Sequence, residues 1–78
     1  MTFSFVVEEA GCASCAALVR EALEPLGRVE SIDVDEAADV SRVVLAGEAS
    51  EEAVSTALAG VSAAGHTYRV QPGSWHLS

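Results

Sequence analysis

Lysine is absent from this 78-residue chain, and four arginines stand against twelve Asp and Glu, a formal charge of −8. Nucleic-acid phosphates need a basic face, so nucleic acid is excluded as a partner, and anionic lipid with it. No apolar run is long enough to span a membrane. Met1-Thr2-Phe3-Ser4 has no basic stretch, and Glu8 and Glu9 break the apolar residues that follow. That pattern does not read as a signal peptide, so no membrane insertion and a cytoplasmic location are expected. The sequence offers no paired carboxylates, no Ser-His set and no phosphate-cradling glycine loop, which argues against hydrolysis, phosphoryl transfer and an enzyme in general. Prolines are two, Pro25 and Pro72, and cysteines are two, Cys12 and Cys15.

What is present suits one small domain. Half of the residues are hydrophobic, mostly Ala, Val and Leu. That content builds a core without staples and is incompatible with disorder. Five of the acids fall between Glu30 and Asp39. They read as a solvated acidic surface, or as a docking face for a basic partner.

Both cysteines lie in Gly11-Cys12-Ala13-Ser14-Cys15, where strand periodicity gives way to helix periodicity. Thr2 to Val7 alternates, with Phe3, Phe5 and Val7 on one face. From Ala13 or Ser14, the residues Ala16, Val19, Leu23 and Leu26 form a helical stripe, which Pro25 and Gly27 should end. Arg28–Asp35 and Val40–Ala46 read as a hairpin of strands around a polar turn at 36–39. Ser50 followed by Glu51 and Glu52 is a helix start, and Val54, Ala57, Leu58 and Val61 are its buried stripe. Gly65 suits its end, and His66–Gln71 is a short fourth strand. Pro72-Gly73-Ser74 stops that strand, so residues 1–71 form the domain and 72–78 a tail. Trp75 on the tail is a packing residue that can fold back over a sheet edge.

The order strand, helix, strand, strand, helix, strand predicts an α+β ferredoxin-like βαββαβ fold. Two strand-helix-strand halves with handed crossovers give a four-stranded antiparallel sheet with two helices on one face. Cys15 then falls in the first turn of the first helix and Cys12 just before it. Free amide donors and the helix dipole stabilise a thiolate there. Two accessible thiolates at the surface can hold one soft ion, or close as a disulfide. Sulfur ligands favour Cu(I), with Zn(II) or another soft ion as alternatives, although zinc ordinarily takes four ligands. A thiol-disulfide redox protein uses the same spacing. Against that, the residue directly before Cys12 is Gly11 and not an aromatic, and neither proline sits where it could face the thiols.

Cys12-Ala13-Ser14-Cys15, with Val19, Ala22, Leu23, Leu26, Val29, Ser31-Ile32 and Val34, resembles the heavy-metal-associated domain family. That family includes copper chaperones and the metal-binding domains of copper-transporting P-type ATPases. The likeness spans roughly residues 3 to 70. It implies the βαββαβ fold, Cys12 and Cys15 as metal ligands, Cu(I) as the ion, and a metal-transporting P-type ATPase or similar metal-exchange protein as partner. A monomer is expected, with a metal-bridged dimer as the alternative. Two positions depart from the family pattern. Its Gly-Met-x before the first Cys is Glu9-Ala10-Gly11 here, so Ala10 stands where a buttressing Met is usual, which should loosen the loop or require Phe5 or Leu58 to fill the gap. The family's Tyr after the second helix is replaced by His66, about one helical turn later. The turn before the fourth strand of such a fold lies beside the turn after the first, which makes His66 a candidate third ligand or neighbour of the metal. The alternative is a surface histidine that touches nothing. His76 is too far along the chain from His66 for a Cys2His2 zinc site. A domain that has lost its metal and kept a binding role is a further alternative, which Ala10 raises.

Overall fold

The computed structural model describes residues 1–61 and 67–77. Strand β1 (Thr2–Glu8) buries Phe3, Phe5 and Val7 and leaves Ser4 and Val6 half-buried on its other side, as period-two alternation requires. It is followed by α1 (Ala13–Leu23), β2 (Arg28–Asp35), β3 (Val40–Ala46), α2 (Glu51–Val61), β4 (Arg69–Val70) and β5 (His76–Leu77). Across the sheet the order is β2-β3-β1-β4, every neighbour antiparallel. Both helices pack on the face that carries Phe5, Val7, Val43 and Leu45, which is the ferredoxin-like arrangement.

Helix α1 buries Cys15, Val19 and Leu23, a stripe spaced by four. It gives way at Glu24–Leu26 to a short 3₁₀ turn with Pro25 near its start, because proline cannot donate to the preceding turn. Helix α2 begins as its sequence indicates. The Ser50 Oγ accepts from the Ala53 N–H at 3.1 Å and the Ser50 carbonyl from the Val54 N–H at 3.0 Å. Val54 and Leu58 are its buried residues. Burial of side chains of this size is worth about 1.5–3 kcal/mol each.

The β2–β3 pairing holds an irregularity that periodicity alone does not show. Val29 pairs with Leu45 and Ile32 with Val43, with a register shift between Val29 and Ser31. Leu45 and Val43 share the core face, so the shift brings Val29 and Ile32 to that face although they are three residues apart. Val34, at the far end of this edge strand, stays 39% exposed.

The segment after β4 rejoins the sheet. Val7 pairs with Val70 and Glu8 with Arg69, then Phe3 with Leu77 and Ser4 with His76. β4 and β5 therefore run along the same edge of β1, with residues 71–75 looped between them, and the sheet stays four strands wide. Ser74 makes the detour possible. Its Oγ accepts from the Val6 N–H at 3.0 Å and donates to the Gln71 carbonyl at 2.7 Å, which satisfies the edge where Pro72 interrupts the ladder. The fourth strand is accordingly shorter than expected, and residues 72–77 are not a free tail. Trp75 stacks on Phe3 and Phe5, with ring centroids 4.9 and 5.0 Å apart.

Candidate metal centre

β1 delivers the chain to one end of the sheet, where Glu9 turns it with φ of 59° into Ala10 and Gly11. Cys12 is the N-cap of α1, in extended conformation (φ −141°, ψ 160°). Its carbonyl accepts from the Ala16 N–H at 2.9 Å and its Sγ from the Cys15 N–H at 3.2 Å. Sulfur thus does here what a Ser or Asp oxygen usually does at a helix start. The Ser14 hydroxyl lies 3.4 Å from the same Sγ. Cys12 and Cys15 are joined as a disulfide, with Cα atoms 5.1 Å apart.

The two sulfurs are not equally presented. Cys12 is half-buried, whereas Cys15 is 3% exposed and belongs to the core cluster with Val19, Leu23, Leu58 and Tyr68. The expectation of two accessible thiols is corrected to one at the surface and one at the roof of the core. The cause is helical geometry, since Cys15 lies four residues before Val19 and eight before Leu23. That spacing was visible in the sequence and would have placed Cys15 on the buried stripe.

The loop is braced from the β2–β3 turn, which sequence reasoning treated only as polar. Ala10 N–H donates to the Asp39 carbonyl at 3.2 Å, and Gly11 N–H to Asp39 Oδ1 at 3.1 Å. The buried Ser41 Oγ donates to the Ala10 carbonyl at 2.6 Å. Ala10 itself is fully buried, in the core cluster that also contains Phe5 and Leu58.

His66 lies outside the described residues. Its neighbour Thr67 donates its N–H to Glu9 Oε1 at 3.4 Å, so the segment leading into β4 does reach the turn after β1. His76, paired with Ser4, is at the opposite end of β1 from the cysteines. About 13 Å of strand separates Ser4 from Glu8 alone, so His76 is no part of the loop. Among the described residues, no group of three or more His, Cys, Asp and Glu side chains could hold a metal ion. Within them the two sulfurs are the candidate donors.

The surroundings are acidic. Glu8, Glu9 and Asp39 line an open depression of about 300 Å³ together with Arg69 and Gln71. Arg69 bonds to Glu8 at 2.5 Å, and this hydrogen bond and the carboxylate's charge raise the guanidinium pKa further above its ordinary value. A larger depression, about 350 Å³, lies on the helix-free face of the sheet around Val6, Arg42 and Val44, away from the cysteines. No helix among the described residues is long and apolar enough to cross a membrane.

Comparison with known proteins agrees with this geometry. Oxidized MerP from Ralstonia metallidurans CH34 superposes with a TM-score of 0.60 at 20% identity, over 91% of this chain and 99% of that one, and shares the fold. A structure described as "Crosstalk between Cu(I) and Zn(II) homeostasis" superposes with a TM-score of 0.57 at 25% identity, again over 91% and 99%. No curated protein matches the chain. The model of the heavy-metal-associated domain matches residues 4–67, more than four-fifths of the sequence. With its βαββαβ fold and its cysteine pair at the start of the first helix, the chain belongs to the heavy-metal-associated domain family, a family of metal-binding modules and not of enzymes.

Proposed function

We propose that the domain carries Cu(I) on Cys12 and Cys15 and passes it by ligand exchange to a partner that offers its own thiols, such as a metal-transporting P-type ATPase. The observation that carries this reading is the pair of sulfurs on one short loop, with Cα atoms 5.1 Å apart and no third donor among the described residues. A two-sulfur site satisfies Cu(I) and leaves a coordination position open to an incoming thiolate. The half-buried Cys12 is the side from which that thiolate approaches. Zn(II) binds more weakly for want of ligands, and another soft ion of low coordination number is the competing cargo. His66 is a third ligand, or a neighbour that hydrogen-bonds near the loop and tunes its charge. The working state is the dithiol, because disulfide sulfurs are poor ligands, and a reducing compartment such as the cytoplasm keeps the pair in that state. The loaded domain is a monomer, with a metal-bridged pair as the competing form.

Anaerobic titration of the reduced protein against a coloured Cu(I) chelator tests the reading. One Cu(I) per chain is expected, abolished by Cys12→Ser or Cys15→Ser. Reduction of insulin disulfides without Cu(I) uptake would instead make it a redox protein, and neither activity would leave an interaction module. His66→Ala is expected to alter affinity or the monomer–dimer balance. Unchanged values for both would remove His66 from the site.

A further inference from the structure

The two non-glycine residues with positive φ among the described residues are Glu9 (59°) and Asp39 (55°), and both flank the cysteine loop. Left-handed conformations at such residues cost free energy, and they persist where surrounding contacts enforce them. At Asp39 the contacts are visible. The backbone carbonyl accepts from Ala10 and the carboxylate from Gly11, so one residue holds two consecutive amides of the loop. Gly11 is pressed so close that a Cβ there would collide with the Asp39 backbone. Two residues along β3, Ser41 is fully buried and donates its hydroxyl to the Ala10 carbonyl. Ala10 N–H, Ala10 C=O and Gly11 N–H are therefore all fixed by the β2–β3 corner immediately before Cys12. The Ala10 side chain brings only a methyl group to the packing.

We infer that Asp39 and Ser41 are positioning residues for the metal site, holding Ala10 and Gly11 so that the Cys12 sulfur is set against Cys15. This deepens the Cu(I) reading above and rests on it. The hydrogen bonds of both residues go to the loop backbone and not to the sulfurs. They act by fixing the backbone from which Cys12 projects, as outer partners orient ligands at other metal sites.

Asp39→Gly separates positioning from plain stability. Glycine adopts φ of +55° without strain, so the turn can keep its course while the carboxylate bond to Gly11 is lost. A merely structural role then predicts a change in stability with no change in the metal affinity of the folded protein. A positioning role predicts that, in the oxidised protein, the Gly11 amide exchanges with solvent about fivefold faster once its acceptor is gone. It also predicts that the reduced variant binds Cu(I) about tenfold more weakly. Asp39→Asn keeps an oxygen acceptor and tolerates the conformation, so both values should stay within about twofold of the parent. Ser41→Ala should weaken Cu(I) binding in the same direction. Unchanged Gly11 exchange in Asp39→Gly, or unchanged affinity in both Asp39→Gly and Ser41→Ala, would overturn the assignment. If the parent itself takes up no Cu(I), the metal reading fails. Gly11 exchange in the oxidised protein then still decides whether Asp39 holds the loop.

Discussion

Removing the indole of Trp75 tests whether the chain beyond Gln71 contributes to the fold. Trp75 is half-buried and stacks on Phe3 and Phe5 at 4.9 and 5.0 Å, with interplanar angles of 29° and 22°. Each such pair adds about 0.5–1.5 kcal/mol beyond its buried area. Truncating a fully buried Trp costs about 3–5 kcal/mol, and partial exposure lowers that. A loss of about 2 kcal/mol for Trp75→Ala follows, out of the roughly 4–12 kcal/mol ordinary for a domain of this length. At about 4–8 °C per kcal/mol, the melting temperature should fall by about 8–16 °C. Far-UV circular dichroism should follow the melt, since the variant has no tryptophan to report by fluorescence. Trp75→Phe should recover much of the loss by keeping a ring on Phe5. A chain ended after Gln71 should still melt cooperatively, at a lower temperature, if residues 1–71 are the domain and 72–78 an appended strap. A fall of less than about 2 °C for Trp75→Ala would refute the reasoning, because two stacked pairs of this geometry cannot contribute so little unless the segment is detached in solution.

Ser50→Ala removes the acceptor for the Ala53 amide at the start of α2, and urea unfolding should show a loss of about 1 kcal/mol with an unchanged slope. In the reduced protein, iodoacetamide should modify Cys12 before Cys15, read by peptide mass spectrometry. Equal rates would mean that Cys15 leaves the core once the disulfide opens.

The sequence signals that succeeded are local ones. Phe3, Phe5 and Val7 alternate, Val19 and Leu23 are four apart, and Ser50 precedes two glutamates. Each rule acts within a few residues, and each element formed where its rule placed it. The features that were not legible depend on pairing across the chain. The register shift beside Glu30 became visible only when Val29 and Ile32 were seen opposite Leu45 and Val43. Ser74 gave no local hint that it would accept from Val6, 68 residues away, and so return His76 and Leu77 to the sheet. The two cysteines announced the site. Asp39 and Ser41, 28 and 31 residues from the loop atoms they bond, could not have been picked from neighbouring acids and serines by spacing. Burial of Cys15 is different in kind, because its place on the α1 stripe, four residues before Val19, is a local property of the sequence.

The division of labour in the loop bears on how one pair of sulfurs would serve both the observed disulfide and the proposed metal bond. A disulfide and a metal bridge each need Cys12 and Cys15 to face one another, and they differ in whether the pair has lost two electrons or holds an ion. The bonds that fix the loop frame run from Ala10 and Gly11 to Asp39 and Ser41, and none of them includes a sulfur. The contacts that do involve sulfur, from the Cys15 amide and near the Ser14 hydroxyl, gather on Cys12, the more exposed member. The bonds that frame the loop can therefore stay in place when the disulfide is reduced, since none of them includes a sulfur. On the proposed Cu(I) reading, a frame built on backbone amides rather than on the sulfurs keeps its shape in both states, and reduction of the pair is the step that admits the ion.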